Sequence, residues 1–240
     1  MLTVDFTKFP VEPGELVLDM GCGGGRHAFA LYQAGARVVA LDMDAAELKD
    51  VSGMFAALRP EVPPGATAAA VRGDAYRLPF PDATFDKVIA AEILEHLPED
   101  SVAMAELARV CKPGGRIAVT VPRWLPEKVC WALSDAYHAN EGGHIRIYRG
   151  DELRDRLARQ GLQVEGGHHA HALHAPYWWL KCAVGVDNGD HALVRAYHRL
   201  LVWDMMRAPR LTRLTERLLN PLIGKSVVVY LRKPGVPGAA

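Results

Sequence analysis

One stretch constrains this chain more than any other: Leu16 to Gly25, reading Leu-Val-Leu-Asp-Met-Gly-Cys-Gly-Gly-Gly. Its apolar opening, Leu16 to Leu18, suits a strand buried on both faces of a parallel sheet. The glycines that follow tolerate positive φ and let the backbone approach a ligand closely, and Arg26 to Gln33 then reads as a helix. Strand, glycine loop and helix make a nucleotide-type site. Gly21, Gly23 and Gly25 are spaced G-x-G-x-G, whereas a dinucleotide fingerprint puts its third glycine where Arg26 stands. Asp19, a carboxylate at the lip of the loop, repels phosphate and attracts a cation. Together these two features point to a cationic cofactor.

The segments downstream repeat the strand-helix alternation. Arg37 to Leu41 reads as a second strand closed by Asp42, about 20 residues past the loop, where an acid can take both ribose hydroxyls. Asp44, close by, competes for that role, and either acid could instead cap a helix. Leu48, Val51, Phe55 and Leu58 recur at helical spacing. Thr67 to Arg72 gives a third strand, followed by the polar turn Gly73-Asp74-Ala75, and Asp86 to Ala91 gives a fourth. Just past its carboxyl end, where open α/β sheets hold their ligands, stand Glu92, Glu95 and His96. A helix from about Asp100 is expected to stop at Lys112-Pro113-Gly114-Gly115, ahead of a fifth strand from Arg116 to Val121.

The Leu16 to Gly25 run resembles the first motif of the class I S-adenosylmethionine-dependent methyltransferases. The series Gly73-Asp74-Ala75, Leu78 to Asp82, Phe85 to Val88, Leu94 to Leu97 and Lys112 to Gly115 resembles their type 11 group, over roughly residues 14 to 122. The resemblance implies S-adenosylmethionine as cofactor and an α/β, Rossmann-like, doubly wound seven-stranded sheet with a reversed C-terminal hairpin strand. It also implies roles: Asp19 facing the methionine amino group, Gly21, Cys22, Gly23 and Gly25 beneath the cofactor, and Asp42 on the ribose. Asp74 and Ala75 would meet the adenine, and Glu92 would help hold the bound cofactor.

Beyond Pro122 the chain reads as elaborations of one domain spanning residues 1–240. Trp124 to Ala139 looks like a helical insertion, His144 to Tyr148 is strand-like, and Asp151 to Gln160 is a capped helix. Leu162 to Val164 and Ser226 to Leu231 would be the last, antiparallel strands. The roughly 60 residues between them are long for a loop and helix-like from His191 to Leu219. Helical insertions over about 123–143 and 172–224 are therefore expected as a cap over the substrate or as a homodimer contact.

Methyl transfer to a hydroxyl needs a base. His144, after the hinge Glu141-Gly142-Gly143, is the first choice, since a neutral imidazole near pH 7 suits the task. The run Glu92-Ile-Leu-Glu-His96 is the second constellation. On a helix its residues 92, 95 and 96 share one face, and the pattern is similar to the divalent-metal ligands of the O-methyltransferases of ubiquinone synthesis. Glu92, Glu95 and His96 are thus candidates for Mg2+, with Glu95 and His96 catalytic, although magnesium prefers oxygen donors. The tract His168-His169-Ala-His171-Ala-Leu-His174, placed on a strand, sends its histidines to opposite faces and is not expected to converge on a metal. Tyr177-Trp178-Trp179 offers flat faces for an acceptor or for packing. From Arg195 to Arg217 six arginines face only Asp204 and Glu216, which reads as a solvated helix face, an anionic acceptor site or a membrane surface.

Composition sets the outer limits. With 28 Lys plus Arg against 28 Asp plus Glu, the chain lacks the overall positive field of a nonspecific nucleic-acid binder. No apolar run approaches the ~18 residues of a membrane span and the start lacks a secretory pattern, so a soluble, cytoplasmic protein is expected. Four scattered cysteines suit reduced thiols. The expectation is an O-methyltransferase acting on a hydroxyl of a saccharide or other small metabolite. The alternatives are C- or N-methylation of an aromatic or lipid-like acceptor, and a non-catalytic cofactor-binding module.

Overall fold

The computed structural model describes residues 2–139, 143–149 and 151–235. Its strands are β1 (Leu16–Met20), β2 (Arg37–Asp42), β3 (Thr67–Arg72), β4 (Phe85–Ala91), β5 (Cys111–Pro122), β6 (Gln163–Ala170) and β7 (Ser226–Arg232). They form one sheet in the order β3-β2-β1-β4-β5-β7-β6. The first five pair in parallel, and β7 runs antiparallel to both β5 and β6. This is the doubly wound sheet with a reversed strand. From β1 the chain winds outward to β3 and then returns to β4 on the other side, so a crevice opens beyond the carboxyl ends of β1 and β4.

Alternation along β1 shows why the sheet is covered on both sides. Val17 faces α1 (Arg26–Gln33) and α2 (Ala45–Leu58), where Leu31, Val51 and Phe55 are buried. Leu18 and Met20 face the opposite core, with Met104 and Leu107 of α3 (Asp100–Val110) and Leu153 and Leu157 of α6 (Glu152–Ala158). A strand sandwiched in this way must be apolar at nearly every position. The exception, Asp19, lies on the Val17 side beneath the start of α1.

Two boundaries differ from the sequence expectation. Lys112 to Gly115 do not separate α3 from a strand; they bulge inside β5, whose pairing jumps from Phe85↔Cys111 to Lys87↔Arg116. Gly114 has φ 78°, and a Cβ on Gly115 would lie 2.7 Å from the Asp86 carbonyl oxygen, so the bulge requires glycine. The Trp124 to Ala139 insertion forms two helices, α4 (Trp124–Leu133) and α5 (Asp135–Ala139), broken at Ser134.

His144 to Tyr148 form no strand. The edges of β5 are already taken by β4 and β7, and polar anchors hold the segment instead. Buried Asp100 accepts hydrogen bonds from the Tyr148 hydroxyl at 2.6 Å and from Arg156 at 2.9 Å, and pairs with Arg146 at 2.5 Å. Ile145 N–H donates to the Glu95 carbonyl at 3.1 Å. Burial pushes the Asp100 carboxyl up, but Tyr148, Arg146 and Arg156 outweigh it and hold the pKa below the usual value. The stability this contributes is complete at neutral pH and is lost as pH falls through that lowered value. Asp100→Asn is expected to lower unfolding free energy by about 1.5–3 kcal/mol, read by denaturant titration, and to weaken the acid dependence.

The remaining helices are α7 (His174–Val184), α8 (Ala192–Arg207) and α9 (Arg210–Ile223). No described helix is long and apolar enough to cross a membrane. All four cysteines are buried free thiols.

Candidate active site

The loop after β1 builds the first half of the site. Gly21 has φ 68° and leaves the place of its absent side chain to Ile93, while a Cβ on Gly25 (φ 76°) would lie 2.6 Å from Phe29 Cζ. Gly23 differs: at φ 47°, its missing Cβ would meet nothing within 4 Å. A cavity of about 320 Å³ opens there, lined by Asp19, Gly21, Cys22 and Gly23 on one side and by Ala91, the last residue of β4, and Glu92 on the other. It occupies the crevice that the strand order creates. Arg26 and His27 also line it, and neither is marked out by the sequence motif.

Two acids on the β1 side are held by backbone: Asp19, which lines the cavity, and Asp42, which stands outside its lining. Asp19 Oδ2 accepts the Ala28 N–H in the first turn of α1 at 3.0 Å. Burial raises its pKa to about 7 in spite of that bond. Asp42 accepts the Gly23 N–H at 2.8 Å and the Asp44 N–H at 3.0 Å, fixing the glycine loop against the end of β2. Asp44 caps α2 through the Ala46 and Glu47 amides, which leaves Asp42 as the acid on the loop. The Cys22 thiol is pushed up to about 12 by burial, with Asp19 and Asp42 adding to the effect, so it stays protonated. Asp74 is exposed and closes a turn onto the Tyr76 N–H at 2.8 Å, Ala75 is buried in the core, and neither lines this cavity.

The expected helix from Glu92 to His96 is absent. Only a single 3-10 turn, Leu94–His96, is present, and Glu92 stands before it at φ 57°. Its carboxylate accepts the Thr120 hydroxyl at 2.7 Å, and its N–H donates to the Thr120 carbonyl at 2.9 Å. With its backbone left-handed, Glu92 lines the 320 Å³ cavity, so the expected grouping of Glu92, Glu95 and His96 on one helix face is corrected. The third member is His144: donor atoms of Glu95, His96 and His144 all lie within 4.8 Å of one another.

This second half of the site is dominated by buried acids. Glu95 is fully buried, and neither carboxyl oxygen accepts a hydrogen bond from the described residues. His96 Nε2 lies 3.9 Å from it. Burial drives the Glu95 carboxyl well above its ordinary pKa and the charge of Glu92 adds to this, against a lowering pull from Lys225. His96 Nδ1 is 3.3 Å from the Gly143 carbonyl. His144 Nδ1 is 2.5 Å from Glu127 Oε1, and the His96 and His144 rings are 5.0 Å apart. Burial would raise Glu127, but the bond to His144, its charge and Lys225 bring it below the usual carboxylate value. Glu127 carries no sequence signal beyond a helix's first turn; only the fold brings it to His144. Of the expected hinge before His144, Glu141 and Gly142 lie outside the described residues.

Aromatic rings close the other side. Tyr137 lies 6.2 Å from the His144 ring and 5.8 Å from Trp178, whose ring also meets Lys181 and Lys225 at 5.5 and 5.6 Å. Trp179 donates to the Pro126 carbonyl at 3.0 Å and so ties α7 to α4. The histidine tract behaves unexpectedly. β6 ends at Ala170, His171 turns at φ 66°, and α7 starts at His174. That turn brings His171, His174 and Glu216 of α9 to within 4.8 Å at their donor atoms, so the expected divergence is corrected for these two histidines, while His168 and His169 on β6 stay outside the cluster. Arg213 already pairs with Asp204 and Glu216 there, placing a protein cation among the carboxylates.

Known proteins match this picture. Residues 18–119 match the family model described as a methyltransferase domain. The chain is 33% identical over 168 residues to the sterol 24-C-methyltransferase of Eremothecium gossypii, covering 64% of this chain and 42% of that one. It is 29% identical over 171 residues to the 27-O-demethylrifamycin SV methyltransferase of Amycolatopsis mediterranei, covering 70% and 61%. The chain therefore spans roughly half the length of these curated relatives. Its fold is shared with an S-adenosylmethionine-dependent methyltransferase from Methanosarcina mazei, at TM-score 0.67 and 14% identity over 98% of this chain and 100% of that one. With the motif loop and the family match in agreement, residues 18–119 form a methyltransferase domain of the type 11 group, set in the strand order described above.

Proposed function

We propose that this protein is an S-adenosylmethionine-dependent O-methyltransferase whose acceptor is a hydroxyl of a small metabolite, saccharides included, with His144 as general base. The Glu127–His144 pair carries the reading. A buried carboxylate bonded to Nδ1 holds the proton on that nitrogen and leaves Nε2 as the acceptor. Beside it stands Glu95, whose burial drives the carboxyl well above its ordinary pKa. The cofactor supplies a methyl group on a sulfonium with its own leaving group, so the chain need only align the acceptor and remove one proton. In this reading Asp19 faces the methionine ammonium and Asp42 the ribose hydroxyls. Glu92 secures the cofactor beside the acceptor, and Asp74 with Ala75 meets the adenine outside the cavity.

Asp19 gives the reading a pH signature. Its carboxylate form pairs with the ammonium, and its pKa is about 7, so cofactor affinity is expected to tighten as pH rises from about 6 to about 7.5. Titration calorimetry with S-adenosylmethionine reads this, and Asp19→Asn should flatten the profile and weaken binding throughout.

A divalent ion at Glu95, His96 and His144 is the competing use of the same donors. One carboxylate and two imidazoles fit a transition metal better than magnesium. Held there, such an ion would polarise the acceptor hydroxyl and His144 would serve as a ligand. A second acceptor class, a lipid-like carbon nucleophile, is favoured by the Tyr137 and Trp178 rings and by the sterol-methylating relative. One experiment separates these readings: S-adenosylhomocysteine release across sugars, phenols, sterols and quinols, with and without chelator. Turnover on a hydroxyl acceptor, unchanged by chelation, is expected. Loss on chelation with recovery on added Mn2+ or Zn2+ replaces the base with a metal. Turnover only on carbon acceptors overturns O-methylation, and cofactor binding without turnover on any acceptor leaves a binding module.

A further inference from the structure

Helix α9 is built inside out. The face turned to the protein carries Thr212 and Glu216, both buried, with Arg213 and Asn220 bonded to neighbours. The face turned to water carries Leu211, Leu214, Leu218 and Leu222, which are 73%, 53%, 65% and 63% exposed. Those positions, at i, i+3, i+7 and i+11, form one stripe along the helix. On α8, Trp203, Met205 and Met206 are exposed as well, the last at 78%. An exposed leucine stripe of this kind marks a binding face, because water contact is unfavourable for every one of these side chains.

The charge around the stripe says what covers it. Within α8 and α9 the only acids, Asp204 and Glu216, are buried, while Arg195, Arg199, Arg207, Arg210 and Arg217 are all exposed. Arg195 pairs with Asp190 just before α8. The other four have no acidic counterpart on these helices. A symmetric contact with a second copy would press this arginine set against itself. A surface that is apolar in depth and negative at its boundary satisfies both features. Leucines enter the hydrocarbon edge, Trp203 sits at the interface, and arginine stems reach back to the headgroups. The helices have 16 and 14 residues, too short to span. We propose that the α8–α9 hairpin docks in plane on an anionic lipid bilayer.

The test is flotation of the full chain with vesicles of phosphatidylcholine alone or of phosphatidylcholine with phosphatidylglycerol. Binding is expected to be at least ~10-fold stronger to the mixed vesicles and to weaken with salt. Leu214→Glu with Leu218→Glu should abolish it, and Arg207→Glu with Arg210→Glu should remove the anionic preference. All four positions already face water, and retained circular dichroism and cofactor binding verify that the variants fold. The readout needs no acceptor and no turnover, so it stands or falls apart from the methyl-transfer reading. No binding to either vesicle, or equal binding to both, overturns the proposal. So does a lipid-free dimer in sedimentation velocity that Leu218→Glu dissociates.

Discussion

Replacing His144 with Ala is expected to lower kcat by ~10²–10⁴-fold while the dissociation constant of S-adenosylmethionine stays within about twofold. The reason is positional. The glycine loop and Glu92 line the cofactor cavity, and His144 is absent from its lining. The loss therefore falls on proton removal from the acceptor. Glu127→Gln should fall in the same direction by a smaller factor, because it leaves the imidazole in place but removes the carboxylate bonded to Nδ1. Single-turnover S-adenosylhomocysteine release with calorimetric cofactor binding separates the two quantities. Wild-type turnover in His144→Ala would remove the base from the mechanism.

Gly23→Leu is expected to weaken S-adenosylmethionine binding by ~100-fold or more, since burying a side chain where the ligand sits replaces the ligand's contacts outright. Nothing lies within 4 Å of the Cβ this residue would gain, and the space it enters is the 320 Å³ cavity. The positive φ adds a folding penalty of about 1–2 kcal/mol. Gly25→Leu should behave differently: its side chain would run into Phe29 and Val51 rather than into the cavity, so the damage appears first as lost thermal stability. Calorimetry and thermal melts of both variants distinguish a glycine kept for ligand space from one kept for packing. Equal cofactor affinity in Gly23→Leu and wild type would move the cofactor out of this cavity.

The two halves of the site were legible to different degrees. The half around the glycine loop is local: Asp19 through Gly25 runs without a break from the end of β1 into the loop, and Asp42 ends the neighbouring strand, so residue type and spacing carry the information. Spacing does not say which residues line the cavity: Asp19 does, while Asp42, Asp74 and Ala75 stand outside its lining. The acceptor half is non-local. The Glu92 to His96 pattern suggested three ligands on a helix face, yet no helix forms there, and the donor cluster of Glu95 and His96 is completed by His144, 48 residues beyond His96. Glu127 could not be singled out at all, for its partner is fixed by how α4 meets the 143–149 segment. The histidine tract shows the same dependence, since one positive φ at His171 brings His171 and His174 into a cluster with α9.

The sequence alone determined the strand-loop-helix start, the alternation of strands and helices as far as β5 and the positive excess on the late helices, whereas the reversed strand was implied by the family resemblance. The first three follow from short-range periodicity, glycine placement or charge counted along the chain. Tertiary structure alone decided which acids are stripped of water, which histidine meets Glu127 and which face of α9 is left uncovered. Those outcomes depend on contacts between segments far apart in the chain, where burial and pairing override what any local pattern prefers.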